Sequence, residues 1–104
     1  MLIASPPIID EYVNSISYGE FVEPVKMRHD LAKVYQADKT CPVTTGIFLR
    51  IVSEASYEEY NNVIDLNVIT PFWRMVSPNS KLAGKLACGI DFISKRQKQE
   101  GIVL

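Results

Sequence analysis

The chain has 104 residues, of which 47% are hydrophobic and 22% are charged, and its formal net charge is −1. These values predict one globular domain, residues 1–104, with a single modest core. No stretch approaches the roughly 18 uncharged apolar residues of a membrane span. The N-terminus has no basic region ahead of an apolar one, as a secretory signal would have. We therefore expect a cytoplasmic protein with no membrane partner.

Cysteine and histidine are too sparse to predict a metal centre. Cys41 and Cys88 do not form a CxxC pair, and His29 is the only histidine. A zinc site would need all three of them and a fourth ligand of another kind, so no metal or other cofactor is expected. Reduced thiols are favoured in the cytosol, and a disulfide between the two cysteines is the alternative. No Ser or Cys partner is implied near His29, so a catalytic role for it is not expected.

Charge is segregated along the chain. Residues 1–23 and residues 53–70 each carry four acids and no base. Bases outnumber acids five to two in residues 24–52 and six to two in residues 71–104. If the two basic segments meet in the fold, they form a positive face that attracts phosphate. The alternative is ordinary solvated charge on helix surfaces.

Two helices are predicted first. One starts at Pro6-Pro7, since proline suits a first helical turn, and it ends before Gly19, which is expected to have a positive φ. Its apolar residues at helical spacing are Ile8, Ile9, Tyr12, Val13 and Ile16. Pro24 starts the second helix. Its predicted buried stripe is Met27, Leu31, Val34 and Tyr35, with Lys26, His29 and Lys33 outside.

A third helix is predicted from Thr40, an N-cap with Pro42 just inside, to about Tyr60. Its expected core face is Ile47, Phe48, Ile51, Val52 and Ala55. With the second helix it resembles a helix-turn-helix. Gly46 costs about 1 kcal/mol relative to alanine in such a helix. The usual compensation is the close approach of another backbone, from the protein or from a ligand.

The C-terminal third is predicted as a loop over residues 61–69, a short strand or extended turn, an irregular connection and a last helix. Phe72, Met75 and Val76 form the strand, and residues 81–88 form the connection. The last helix runs from about Ile90 to Glu100, and Gly101 terminates it. Its inward residues are Ile90 and Ile93, and its outward residues are Lys95, Arg96 and Lys98.

The segment Thr70–Val76 holds the only tryptophan of the chain, next to a phenylalanine, an arginine and a proline. Two aromatic rings and a guanidinium this close together can stack on a flat group and hold an anion. The alternative is a short buried strand, with Trp73 in the core and Arg74 solvated.

Four short segments resemble the O6-alkylguanine-DNA alkyltransferase family, in particular its small alkyltransferase-like members. Residues 16–22 (ISYGEFV) are similar to the family's I-P-x-G-x-V, and residues 45–48 (TGIF) to the V-G-x-A of its recognition helix. Residues 70–76 (TPFWRMV) are similar to its V-P-C-H-R-V-V active-site motif, and residues 96–102 (RQKQEGI) to its closing R-x-x-L-x-x-E-G-V. The resemblance implies a mostly α, winged-helix-like helix-turn-helix domain with a short β wing around residues 72–76.

The departures from the family pattern remove its reaction. The methyl-accepting cysteine falls on Phe72 and the activating histidine on Trp73. A phenyl ring has no lone pair to attack an alkyl carbon, and indole is not a base. The family's helix-turn-helix tyrosine has no counterpart near Pro24, and its finger arginine falls near Val43.

The resemblance therefore implies a non-catalytic DNA-repair protein. It would bind double-stranded DNA that contains O6-alkylguanine, approach the minor groove, and flag the lesion for a repair protein. The expected base pocket consists of Pro71, Phe72, Trp73 and Arg74, the last of which braces the loop. The expected DNA contacts are Lys26, Lys39, Thr44, Thr45, Gly46 and Arg50.

Two other functions stay open. The loss of the finger arginine and the acidic balance fit a winged-helix module that binds proteins and no lesion. Alternatively, Cys41 is the methyl acceptor, because a helix N-terminus lowers a thiol pKa. No base is placed beside Cys41 by the sequence, so buried structural thiols are favoured for both cysteines.

Overall fold

A computed structural model describes residues 1–102 of the chain, and nearly all regular structure in them is helical. The helices are α1 (Pro6–Asn14), α2 (Pro24–Val34), α3 (Pro42–Val63), α4 (Lys81–Lys85) and α5 (Gly89–Glu100), with a 3-10 turn at Phe72–Arg74. Over these 102 residues, β pairing is limited to one isolated parallel bridge between Leu2 and Thr40. The prediction of a mostly α fold is confirmed.

Proline starts α1, α2 and α3, as the sequence predicts. Pro6, Pro24 and Pro42 each occupy the first turn, where the missing N–H would have no partner inside the helix anyway. The start of α3 differs by one residue, because Cys41 is its N-cap. The Thr40 hydroxyl instead donates a hydrogen bond of 2.8 Å to the Arg28 carbonyl, which joins the middle of α2 to the segment just before α3.

The central helix α3 buries only part of the predicted face, since Val52 is buried and Phe48 packs against the core. Ile47 and Ile51 are 53% and 48% exposed, and Ala55 is also on the surface. The buried face is Thr45, Leu49, Val52, Ser53 and Ser56. These small side chains allow α1 to pack closely, and α1–α3 is the most extensive helix contact of the fold.

The hydroxyl groups on this inner face all have hydrogen-bond partners. Thr45 donates to the Cys41 carbonyl at 2.7 Å and Ser53 to the Leu49 carbonyl at 2.8 Å, both one turn earlier, and Ser56 donates across 14 residues to the Thr70 carbonyl at 2.6 Å. A buried hydroxyl that donates to a carbonyl loses most of its cost of burial. The prediction missed these residues, and wrongly included Ile47, Ile51 and Ala55, because it ranked residues by hydrophobicity alone.

Burial was also predicted wrongly for four side chains of α2 and α5 or their ends. Val34 and Tyr35 are 71% and 48% exposed, because α2 ends there and Gln36 turns the chain with a φ of 54°. On α5, Ile93 is buried as expected, but Ile90 is 46% exposed. Arg96, predicted to face outward, is only 8% exposed.

The segment after Pro71 is a turn and not a strand. Met75 and Val76 both donate to the Phe72 carbonyl, at 3.0 and 3.1 Å, which closes the 3-10 turn. The strand predicted for the wing around residues 72–76 is therefore wrong. Residues 81–85, predicted as an irregular connection, form α4, and the Ser80 hydroxyl caps it by accepting from the Ala83 amide at 3.2 Å.

The predicted turns at Gly19 and Gly101 are confirmed, with φ values of 83° and 76°. The 3-10 turn and α5 together bury an aromatic cluster. In it the rings of Phe72 and Phe92 are stacked, with their centres 6.1 Å apart. Among the residues that the structure describes, no helix is both long enough and apolar enough to cross a membrane.

We expect the free energy of unfolding to distinguish the buried face of α3 from its exposed face. Leu49→Ala removes a side chain that is 1% exposed and should cost about 2–5 kcal/mol. Ile47→Ala, two residues away on the outer face, should cost less than about 1 kcal/mol. Urea unfolding of both variants measures the two costs. A larger loss for Ile47→Ala would restore the predicted face.

Candidate functional site

The carboxylate of Glu100 joins three distant segments of the chain. Its Oε1 accepts from Arg74 Nε at 2.8 Å and from the Gly19 amide at 3.1 Å. Its Oε2 accepts from Trp73 Nε1 at 2.6 Å and from Arg74 Nη2 at 3.1 Å. The glutamate and arginine side chains are only 6% and 14% exposed. Two oxygens thus receive four donors, two of them from one guanidinium, which is a strong and directional arrangement.

Arg74 has further partners that fix the same loop. Its Nη1 donates to the Ile16 carbonyl at 2.8 Å, and its own carbonyl accepts from the Val22 amide at 2.9 Å. The guanidinium lies 5.6 Å from the centre of the Tyr18 ring, and the Tyr18 hydroxyl donates to the Gln99 carbonyl at 3.0 Å. Arg74 is therefore a brace between residues 16–22 and α5.

The ionisation of Glu100 follows from this geometry. Burial alone would raise the pKa of its carboxyl group. The hydrogen bonds from Arg74, Trp73 and Gly19 outweigh burial, and the pKa is lowered from the usual 4.5. The group is therefore an anion at neutral pH, and its negative charge is matched by Arg74.

A cavity of about 360 Å³ opens beside this network. Of the four residues predicted for the base pocket, Pro71, Trp73 and Arg74 line it. Phe72 does not, since it is 0% exposed and packs against Phe92 and Trp73. The inclusion of Phe72 was wrong, because the 3-10 turn points consecutive side chains in different directions. The other lining residues are Asn14, Tyr18, Leu66, Asn67, Ile69, Arg96, Gln99 and Glu100.

The aromatic surface at this cavity comes mainly from a residue that the sequence did not indicate. Trp73 is only 3% exposed, so a ligand would meet a small part of its indole. Tyr18 is 68% exposed and presents one aromatic face that Arg74 leaves open. Its place in the ISYGEFV segment was the available signal.

Two side chains of α5, Gln97 and Arg96, contact the segment that forms the cavity or line the cavity itself. Gln97 is 4% exposed, and its Nε2 donates to the carbonyls of Trp73 and Val76 at 3.0 and 3.1 Å. Arg96 lines the cavity, and its guanidinium lies 5.5 Å from the centre of the Phe92 ring. Its Nε is buried without a hydrogen-bond partner. The signal for Arg96 was its position three residues after Ile93, on the same side of the helix.

The residues predicted to contact DNA are not equally accessible. Lys26 and Lys39 are exposed, and Lys26 pairs with Asp30 at 2.7 Å. Thr44 is half-buried and donates to the Cys41 carbonyl at 3.4 Å. Thr45 is 2% exposed with its hydroxyl engaged, so a phosphate contact from its side chain was a wrong prediction.

Gly46 and Arg50 both lie on the outer face of α3. Arg50 is exposed, with its Nη2 3.5 Å from the Lys85 carbonyl. A Cβ built on Gly46 would meet no atom within 4 Å. In the described part of the chain, no backbone approaches this glycine closely enough to explain it.

The first basic segment does form a positive surface. A cavity of about 500 Å³ between α2 and the start of α3 is lined by Arg28, His29, Lys33 and Lys39, and the acid among its lining residues is Asp38. Asp38 is already paired with the N-terminal amine at 3.4 Å. Next to it, Lys26, His29 and Lys33 border a second concave region that reaches Phe21 and Val22 and also contains the acids Glu23 and Asp30. Four of the five bases of residues 24–52 therefore lie on or beside α2 and border these two regions. We call these four residues the α2 basic face (Lys26, Arg28, Lys33 and Lys39).

Both thiols are free. A hydrogen bond with Thr44 and the amides at the start of α3 lower the pKa of Cys41, whereas burial raises the pKa of Cys88 to about 11. Neither is among the residues that line the cavity at Trp73. Within residues 1–102, no cluster of three or more His, Cys, Asp or Glu side chains is arranged to hold a metal ion.

No family model, no curated protein and no solved structure matches this chain, so similarity to known proteins does not assign a function to this site.

Replacing Glu100 by glutamine should destabilise the fold by about 3–5 kcal/mol, because Arg74 would be left buried without its counter-ion. The wild-type contribution is complete above the usual pKa of 4.5 and is lost as pH falls through the lowered folded-state pKa. Urea unfolding at about pH 7 and about pH 3 should show this slope in the wild type and a reduced slope in Glu100→Gln. Glu59→Gln, an exposed change on α3, is the matched control. Equal losses in both variants would contradict the network's role.

Proposed function

We propose that this chain is a non-catalytic, alkyltransferase-like protein that binds double-stranded DNA and receives an extruded O6-alkylguanine in the cavity beside Trp73. One observation carries the proposal. Three of the four segments that resemble the alkyltransferase family meet at the Glu100 carboxylate, although they lie up to 81 residues apart in the chain. Unrelated short matches have no reason to converge on one carboxylate and one cavity.

The cavity is built for binding and has no group for the family's reaction. Phe72 occupies the position of the acceptor cysteine and faces the core. The Trp73 Nε1–H is a donor with no lone pair for a proton, and Glu100 already accepts from it. No thiol lines the cavity, and the Glu100 carboxylate already accepts four hydrogen bonds, so an alkyl group stays on its base.

The size and lining of the cavity suit a nucleobase. Its volume of about 360 Å³ is near the lower end of the range of about 300–1,000 Å³ for small-molecule sites. Tyr18 offers a stacking face at the rim, and stacking repays part of the cost of unstacking a base from the duplex.

Phosphate contacts would come from the α2 basic face. It borders the start of α3, and the same Tyr18–Val22 segment that reaches the Trp73 cavity also borders its second concave region. In this proposal α2 and α3 act as the helix-turn-helix of a winged-helix-like domain. The open surface at Gly46 then allows a close approach of the DNA backbone.

A second candidate function has its own support. Val43, Ile47 and Ile51 are 68%, 53% and 48% exposed and repeat every four residues along the outer face of α3. An exposed apolar stripe of this kind also fits a partner protein. In that case the duplex would bind weakly and without preference for the lesion.

The main test is a titration at about 50 mM salt, where phosphate contacts are strongest. A duplex with one O6-methylguanine should bind more tightly than its unmodified twin, and both affinities should fall as salt is raised. Fluorescence anisotropy of labelled duplexes measures this. Intact mass after the incubation should be unchanged, whereas an added methyl group would support a reaction at Cys41.

Equal and feeble binding to the two duplexes would exclude lesion recognition and favour the protein-binding alternative. Lys33→Gln on the α2 basic face should weaken binding to both duplexes alike, because it removes a phosphate contact and no base contact. Loss of lesion preference in this variant would contradict the assignment of that face to the DNA backbone.

Gly46→Ala should separate stability from binding. Alanine stabilises a helix interior by about 1 kcal/mol relative to glycine, and the new methyl group meets nothing within 4 Å. The variant should therefore unfold at higher urea concentration and yet bind the duplex more weakly, because the methyl group occupies the surface reserved for DNA. Gly84→Ala, equally open and on α4, is the control and should leave binding unchanged. Unaltered binding by Gly46→Ala would remove α3 from the interface.

A further inference from the structure

Arg96 is in an unusual state for an arginine. It is 8% exposed, its Nε is buried with no hydrogen-bond partner, and it lines the cavity beside Trp73. Within residues 1–102 no carboxylate pairs with it. Its closest compensation is the face of the Phe92 ring, 5.5 Å from the guanidinium carbon. Buried charged groups are normally both paired and hydrogen-bonded, so this donor lacks an acceptor.

The neighbouring donors at the cavity are already engaged. Arg74 gives Nε and Nη2 to Glu100 and Nη1 to the Ile16 carbonyl. Trp73 Nε1 is bound to Glu100 as well. Glu100 in turn accepts four hydrogen bonds, so its oxygens have little capacity left for a ligand N–H. Within residues 1–102 the Arg96 guanidinium donates no hydrogen bond, so it is the cavity-lining donor group that remains for a ligand acceptor.

Alkylation at O6 changes guanine in the respect that such a donor can detect. In unmodified guanine the ring nitrogen N1 carries a hydrogen and is a donor. With the alkyl group on O6, the former C6=O double bond lies between C6 and N1 and the N1 proton has been lost, so N1 is an acceptor with a free lone pair. An N–H of the Arg96 guanidinium at this cavity therefore gains a hydrogen bond from the alkylated base, whereas it would face another N–H in guanine.

We propose that Arg96 is the specificity-determining residue of the cavity and that it selects purines whose N1 is an unprotonated acceptor. The inference rests on the proposed function, since it names how the same cavity distinguishes its base. The alkyl group itself then matters little. Any purine with an N1 lone pair fits this site once it is extruded, and adenine in a stable A·T pair is disfavoured by the cost of opening that pair.

Four duplexes test the proposal: one with O6-methylguanine opposite cytosine, one with 2-aminopurine opposite cytosine, a normal G·C pair and a G·T mismatch. 2-Aminopurine has an acceptor N1 and no substituent at position 6. The G·T mismatch is easily opened, but its guanine keeps the N1 hydrogen. The wild-type protein should bind the first two at least about tenfold more tightly than the last two.

Arg96→Met should bring the ratio of affinities, for the duplexes with an acceptor N1 over those with an N1 hydrogen, close to one. Methionine has a similar length and no donor, and replacing an unpaired buried charge by an apolar side chain preserves or increases stability, so the variant should fold with an equal or higher Tm. Lys95→Met, an exposed change at the preceding position of α5, removes the same charge and should keep the ratio.

The outcomes separate the two proposals. If the wild-type protein binds O6-methylguanine no better than the G·C pair and the G·T mismatch, the proposed function itself fails. If it prefers O6-methylguanine and Arg96→Met keeps the preference, the function stands and the role of Arg96 is overturned. If 2-aminopurine binds as weakly as the G·T mismatch, the cavity detects the alkyl group and not the N1 lone pair.

Discussion

The buried ion pair of Glu100 and Arg74 is the interaction on which the rest of the site depends. Its two side chains are 6% and 14% exposed, so charge separation would leave either group uncompensated in the protein interior. Coulomb attraction there is weakly screened. The pair therefore fixes the distance between the 3-10 turn and the C-terminal end of α5, and with it one wall of the cavity. Residues 16–22 close the other wall because Arg74 also holds the Ile16 carbonyl.

The same pair explains why this turn can hold two large aromatic rings without forming a strand. Phe72 turns into the core and stacks on Phe92, whereas the Trp73 indole is directed to the carboxylate. In the proposed function, a carboxylate that could orient a catalytic base instead anchors an indole N–H. In that proposal the segment binds a base and carries no group that reacts with it.

Local chemistry made part of the fold predictable. Proline in the first turn of three helices, and glycine at Gly19 and Gly101, depend only on backbone dihedral angles and missing donors, so the sequence suffices. The inner face of α3 was not predictable in this way. Its serines become compatible with burial only because carbonyls lie within reach, as the Ser56–Thr70 bond across 14 residues illustrates.

The cavity was predictable in part. The TPFWRMV segment indicated Trp73 and Arg74, but nothing in it distinguishes a side chain that faces the cavity from Phe72, which faces the core. Tyr18 and Glu100 reach the site from segments that only the folded chain brings together. Contacts across 81 residues are beyond any local pattern, so the resemblance was the sole guide to them.

The two largest failures of sequence reasoning fall on surfaces that the proposed function uses. A helix that turns Ile47 outward and Ser53 inward, and an arginine buried without an acceptor, both oppose the preferences that stabilise an isolated domain. Natural chains tolerate such conflicts mainly where a ligand resolves them. DNA against the outer face of α3 would cover the apolar stripe, and a base in the cavity would supply the acceptor for Arg96. The free protein is then the incomplete state, and the unmet groups on α3 and α5 describe the surface of what it binds.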